Sequence, residues 1–239
     1  MNGKIKGIYI NEKDIKLFSY LHAVKVATYE QIHRDVYTEI CLDAVGHRIR
    51  KLEDAKFVEV GRNRLLLKGK RFVSLKKQTF DDFVRKGGEL RIELKSDAIQ
   101  HDLTLVDIRH KFCYSSKIQA YETENELQTW NLQYKHLNSD ALVTSTLGQS
   151  HFQIPIEYES TLKKADRYEP FVQKYYQAND FPLVLFLADS QSIINTVVKT
   201  EKQLFNWDKP KFFYRLTQDF LSDDTLTFLN CNNAVLSLG

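Results

Sequence analysis

The chain reads as a mixed α/β protein in two parts, and three observations point that way. Short amphipathic helices followed by a basic hairpin fill the first third, strand and helix signals alternate from residue 97 onward, and the net charge changes sign between the two regions. With 239 residues, 43% hydrophobic and 12% aromatic, the chain has ample apolar mass for a packed core. Residues 1–96 carry 21 Lys and Arg against 13 Asp and Glu, a net charge of +8, whereas the remainder carries 13 against 18, a net of −5. Such asymmetry predicts a polyanion-binding part joined to a part with a different role.

The first region runs from Asn11 to about Phe83. Ile15, Leu17, Phe18 and Leu21 give a first amphipathic helix, and Thr28 reads as the N-cap of Tyr29-Glu30-Gln31-Ile32-His33. A third helix spans Ile40 to Ala55, with Val45, Ile49 and Leu52 at core spacing. Strand signals follow at 57–60, 65–67 and 72–75, separated by the turns 61–64 and 68–71. Helices followed by a basic β-ribbon are the winged-helix order, and the cations fall where that order needs them. Arg48, Arg50 and Lys51 lie on the third helix, where a recognition helix meets the major groove; Arg62, Arg64, Lys68, Lys70 and Arg71 lie on the ribbon, near phosphates or the minor groove. The coincidence of basic helix and basic ribbon favours double-stranded DNA over a merely solvated charged face.

Gln78 to Lys95 is a charged connector with Gly87-Gly88 as its hinge, so the expected division is a DNA-binding domain at 1–84, a connector at 85–96 and a second domain at 97–239. In that second domain, helix signals at 97–112, 124–130, 163–179 and 190–205 alternate with strand signals at 117–122, 140–144, 152–159, 183–187 and 211–216, which predicts a central sheet flanked by helices.

Two consecutive strands carry the most informative residues. Asp140 opens Ala141-Leu142-Val143-Thr144, and after a Gly148 turn the next strand, Phe152-Gln153-Ile154-Pro155-Ile156, ends in Glu157-Tyr158-Glu159. Acids bordering apolar runs lie against an expected core, where an unpaired carboxylate is costly. On adjacent strands they can gather hard oxygen ligands for a divalent ion at one sheet edge, an arrangement suited to phosphodiester chemistry.

This succession resembles the core of the PD-(D/E)XK nuclease fold, a restriction-endonuclease-like mixed sheet flanked by helices. The resemblance implies that Asp140 and Glu157 hold Mg²⁺ or Mn²⁺ beside the scissile phosphate, while a lysine two residues past the glutamate steadies the attacking water. Glu159 stands at that lysine position here, and the following helix offers Lys163, Lys164 and Lys174 instead. Over residues 11–190 the chain also resembles the replication-relaxation family, which includes the MobC-type relaxases of mobilisable plasmids. The matching positions are His101 in Gln100-His101-Asp102-Leu103, Glu122 in Tyr121-Glu122-Thr123-Glu124, Asp140, Ile156-Glu157-Tyr158-Glu159 and Lys174-Tyr175-Tyr176. Taken alone, His101 reads equally as a packing or capping histidine, Lys174 as a solvated cation, and Tyr175 and Tyr176 as core and rim residues.

That resemblance implies metal-dependent, sequence-specific nicking of DNA at a plasmid transfer origin during conjugative mobilisation, with an accessory mobilisation or coupling protein as partner. The alternative is a non-catalytic replication or transcription regulator whose nuclease-like domain is inactive. The chain contains no GxxxxGK[ST], GxGxxG, HExxH or GxSxG motif, and its seven histidines form no HxH pair. Three widely spaced cysteines, Cys41, Cys113 and Cys231, predict reduced thiols rather than a disulfide frame or zinc ribbon. The absence of a long apolar segment and of a signal-like N-terminus places the protein in the cytoplasm.

Overall fold

The computed structural model describes residues 4–5, 7–62, 69–87, 93–130, 138–147, 150–205 and 209–238. The expected strand at 65–67 and the Gly148 turn lie outside them. The chain is a mixed α/β protein divided into two compact units, Met1–Asp107 with Asn125–Leu132, and Ile108–Glu124 with Gln133–Gly239.

The first unit opens with a short antiparallel pair, β1 (Lys4–Ile5) and β2 (Ile8–Tyr9). Helix α1 (Glu12–Val24) starts at a capping box: Asn11 accepts from the Asp14 N–H at 2.9 Å while Asp14 accepts from the Asn11 N–H at 2.8 Å. After β3 (Ala27–Thr28), Thr28 and Gln31 form a second capping box that starts α2 (Tyr29–Asp35). Helix α3 (Leu42–Asp54) precedes β4 (Val58–Arg62) and β5 (Arg71–Leu75), which join β3 in an antiparallel sheet of order β3-β5-β4. Leu17, Phe18 and Leu21 of α1, Ile32 of α2, Val45, Ile49 and Leu52 of α3, and Phe57 are fully buried together, each such side chain contributing about 1.5–3 kcal/mol. A short α4 (Lys77–Thr79) runs into a π-helical turn at Phe80–Val84.

Helix α5 (Ile99–Cys113) explains why the units do not part at the 85–96 connector. Gln31 Nε2 donates to the Leu103 carbonyl at 2.9 Å and to Asp107 Oδ1 at 3.0 Å, Arg34 donates to Asp107 at 2.7 Å, and Val106 joins the helical core. These bonds assign the first half of α5 to the first unit.

The second unit is built on one seven-stranded sheet. Its strands are β6 (Ile118–Thr123), β7 (Ala141–Leu147), β8 (Ser150–Glu159), β9 (Val184–Ala188), β10 (Phe212–Leu216), β11 (Thr227–Asn230) and β12 (Val235–Ser237), in the order β12-β11-β10-β9-β8-β7-β6. Between β6 and β7 the helix α6 (Glu124–Trp130) returns the chain to the first unit, where Trp130 packs against the helical core. Strands β8, β9 and β10 are parallel and the other pairs antiparallel. Parallel neighbours need crossovers, which α7 (Tyr168–Gln177) and α8 (Gln191–Leu204) supply; α9 (Thr217–Ser222) follows β10. Phe171 of α7 meets Phe186 and Phe212 on one sheet face, and Phe112 meets Tyr121, Phe220 and Phe228 on the other. All five residues of β9 are buried, as expected of a central parallel strand covered on both sides.

The helix expected from Lys163 begins only at Tyr168, after a 3₁₀ turn at Ala165–Arg167. Pro170 sets that start, since it is tolerated in the first helical turn but would break an interior bond of a helix already running from Lys163. Among the described residues no disulfide joins the cysteines, and no helix is long and apolar enough to cross a membrane.

Candidate functional site

The antiparallel register of β7 and β8 pairs Ala141 with Ile156, so continuing it by one residue sets Asp140 opposite Glu157. Asp140 Oδ2 accepts the backbone N–H of Tyr158 at 2.7 Å, fixing the carboxylate across the end of the ladder, while its carbonyl accepts from the Glu124 N–H at 2.8 Å. Glu157 Oε1 accepts the hydroxyl of Tyr175, which α7 delivers from above the sheet. Tyr175 is fully buried, its ring edge-on to Phe171 at 5.4 Å and to Phe212 at 5.6 Å. A buried tyrosine must find a partner for its hydroxyl, and this one finds the acid.

Burial, and then the neighbouring negative charge of Asp140, push the Glu157 carboxyl up to about 8; Lys174, the Tyr175 hydrogen bond and Lys163 pull the other way. Glu159 Oε2 pairs with Lys163 Nζ at 2.5 Å, and its Oε1 accepts from the Thr161 N–H at 3.4 Å. The Lys174 ammonium sits 4.9 Å from the centre of the Tyr175 ring. Two acids thus face each other at the end of the ladder, and two lysines act on Glu157.

Of the residues expected to act, Asp140 and Glu157 face each other at one end of β7 and β8, Lys174 acts on Glu157, and Glu159, two residues further along β8, is turned to Lys163. Glu122 lies on β6 opposite Leu142, which is itself opposite Pro155, and so shares a sheet face with Glu157 two residues further along the ladder. Lys164 is exposed and opens the 3₁₀ turn, whereas its neighbour Lys163 pairs with Glu159 and reaches the field of Glu157. His101 belongs to the first unit, where its Nδ1 lies 3.3 Å from Asp102 Oδ1. Sequence reasoning set Tyr175 aside as core, although a helical tyrosine at packing distance from Phe171 and Val172 was bound to seek an acceptor.

The basic face needs one correction. Arg48 does not point outward: its Nε donates to Asp14 Oδ1 at 2.8 Å, and its Nη2 bonds both Asp14 Oδ2 and the Tyr9 carbonyl. The cause is angular, since Arg48 follows Val45 by three residues and precedes Leu52 by four, both fully buried. The exposed stripe of α3 is instead His47, Arg50 and Lys51. On the ribbon, exposed Arg62 and Arg71 are cross-strand partners, and Lys70 Nζ lies 3.8 Å from Glu30 Oε1; Arg64 and Lys68 fall outside the described residues.

A divalent cation fits the acid pair on donor chemistry. Among the described residues no group of three or more His, Cys, Asp and Glu side chains gathers to hold a metal. Two carboxylates are nevertheless the usual protein share for Mg²⁺, which keeps several waters and takes further ligands from substrate phosphates. The raised proton affinity of Glu157 comes first from its burial and then from the charge of Asp140 beside it. Comparison with protein-family models, curated proteins and solved structures gave no match. Fold and site together define a two-unit α/β protein with a carboxylate pair at one end of the β7–β8 ladder.

Proposed function

We propose that this chain is a metal-dependent DNA endonuclease or nickase, a relaxase that cuts at a plasmid transfer origin during conjugative mobilisation. The observation that carries the reading is the facing of Asp140 and Glu157, with Lys163 and Lys174 at their margin. Asp140 and Glu157 would hold Mg²⁺ or Mn²⁺, which when bound neutralises phosphate charge and acidifies the attacking water. Lys174 and Lys163 would balance the charge that develops on the phosphate, in the role a strand lysine at the Glu159 position fills in the nuclease fold. The sheet around the pair supports a restriction-endonuclease-like reading, because the acids sit on an antiparallel pair whose second strand leads through a helix to a parallel one.

The first unit supports DNA as substrate. Three helices followed by an antiparallel ribbon are consistent with a winged helix, with His47, Arg50 and Lys51 facing the groove and Arg62, Lys70 and Arg71 toward phosphates. A second reading, a non-catalytic DNA-binding regulator, is favoured by the Glu159–Lys163 pair, which ties up one of the cations that the chemistry would use.

Supercoiled plasmid carrying the cognate origin separates the two. With Mg²⁺ or Mn²⁺ the protein should convert it to the nicked form, and Asp140→Ala or Glu157→Ala should lower the rate by about 100-fold or more. Undiminished nicking by both variants would remove the site assignment, and sequence-specific binding without any cleavage would establish the regulator.

A further inference from the structure

We infer that Tyr175 is a positioning residue for the metal, acting through Glu157. The inference rests on the metal-dependent reading of the acid pair. Glu157 has two oxygens, and the phenol of Tyr175 donates to Oε1, so that Oε2 is the oxygen Glu157 would offer to an ion. The ring itself has little freedom. Tyr175 is fully buried, held edge-on by Phe171 and Phe212 at 5.4 and 5.6 Å. A rigid donor on one oxygen converts a freely rotating carboxylate into one with a fixed direction, which is the part that residues behind metal ligands ordinarily play. Tyr175 is therefore no covalent nucleophile toward DNA: its hydroxyl is committed to a carboxylate inside the core.

The adjacent tyrosine supplies the control. Tyr176 gives its hydroxyl to Glu201 at 2.7 Å, a carboxylate that also accepts from the hydroxyl of Tyr214 and from the N–H groups of Lys211 and Phe212. Removing either hydroxyl breaks one tyrosine–carboxylate bond next to the same sheet, but only that of Tyr175 touches the acid pair.

The experiment measures Mn²⁺ affinity of the full chain from the electron paramagnetic resonance signal of free Mn²⁺, for the wild type, Tyr175→Phe, Tyr176→Phe and Glu157→Ala, with thermal midpoints recorded alongside. Tyr175→Phe should weaken Mn²⁺ binding by about 10-fold or more while keeping its ring packing. Its nicking rate should climb back toward that of the wild type as Mn²⁺ is raised to saturation. Tyr176→Phe should lower the thermal midpoint yet bind Mn²⁺ as the wild type does. Wild-type affinity in Tyr175→Phe, or an equal loss in Tyr176→Phe, would overturn the positioning role and leave the metal reading standing. A wild type that binds no Mn²⁺, or binds it as tightly without Glu157, would overturn the metal reading and the inference with it.

Discussion

Asp14 in the first unit and Glu157 in the second are both acids enclosed by protein, and their surroundings treat them in opposite ways. Asp14 is fully buried and receives Arg48 in a forked pair, the Tyr37 hydroxyl at 2.8 Å and the Asn11 N–H at 2.8 Å. Glu157 receives the Tyr175 hydroxyl and faces a second carboxylate. A buried acid surrounded by donors holds elements together: Asp14 joins α1 to α3, and Glu201, with its four donors, joins α8 to α7 and β10. Among the described residues Glu157 has one hydrogen-bond donor where Glu201 has four, and it is the acid of the proposed metal site.

The sharpest way to break this contrast within the first unit is to withdraw the guanidinium. Arg48→Ala leaves Asp14 charged and buried without its main partner, and should cost roughly 3–5 kcal/mol in urea unfolding. A cost below about 1 kcal/mol would mean that Arg48 is an outward cation after all.

Acidity probes the second unit. Glu157 has a folded pKa of about 8, above the ordinary 4.5, so between those values the folded state keeps a proton that the unfolded chain gives up. Its contribution to stability is therefore fully present below about 4.5 and lost as pH rises through about 8, a difference on the order of 5 kcal/mol in the metal-free protein. Glu157→Gln, which mimics the protonated acid, should flatten that part of the stability–pH curve. Parallel curves for the two proteins would show that neither burial nor Asp140 raises the Glu157 carboxyl.

The smallest effect on stability belongs to the exposed cations. Arg50→Ala should change stability by less than about 0.5 kcal/mol, yet lower DNA affinity and reduce the slope of log affinity against log salt by about one. An unchanged slope would take Arg50 off the DNA face.

The two acid strands were legible because an apolar run ending in a carboxylate carries both its period and its exception within a few residues. The same holds for α3, whose Val45, Ile49 and Leu52 are all fully buried. Arg48 was misread because its partner lies 34 residues away, beyond any local pattern, although its offset from Val45 and Leu52 already set it at the margin of the buried face. Strands β11 and β12 escaped notice for another reason: they are short, and Leu229 and Val235 on them are exposed, so neither alternation nor an apolar run marks them. The unit boundary was hidden inside a single helix, where composition does not change.

That helix bears on how the protein is made. The core of the first unit includes Val106 from α5 and is packed by Trp130 from α6, so a fragment ending at residue 96 would emerge from the ribosome with apolar surface still uncovered. The first unit cannot close until α6 has emerged from the ribosome, and β6 of the second sheet, which directly precedes α6, has then emerged as well. Expression of residues 1–96 alone should therefore give an aggregation-prone product, whereas the intact chain folds its two units as interleaved parts of one translation product.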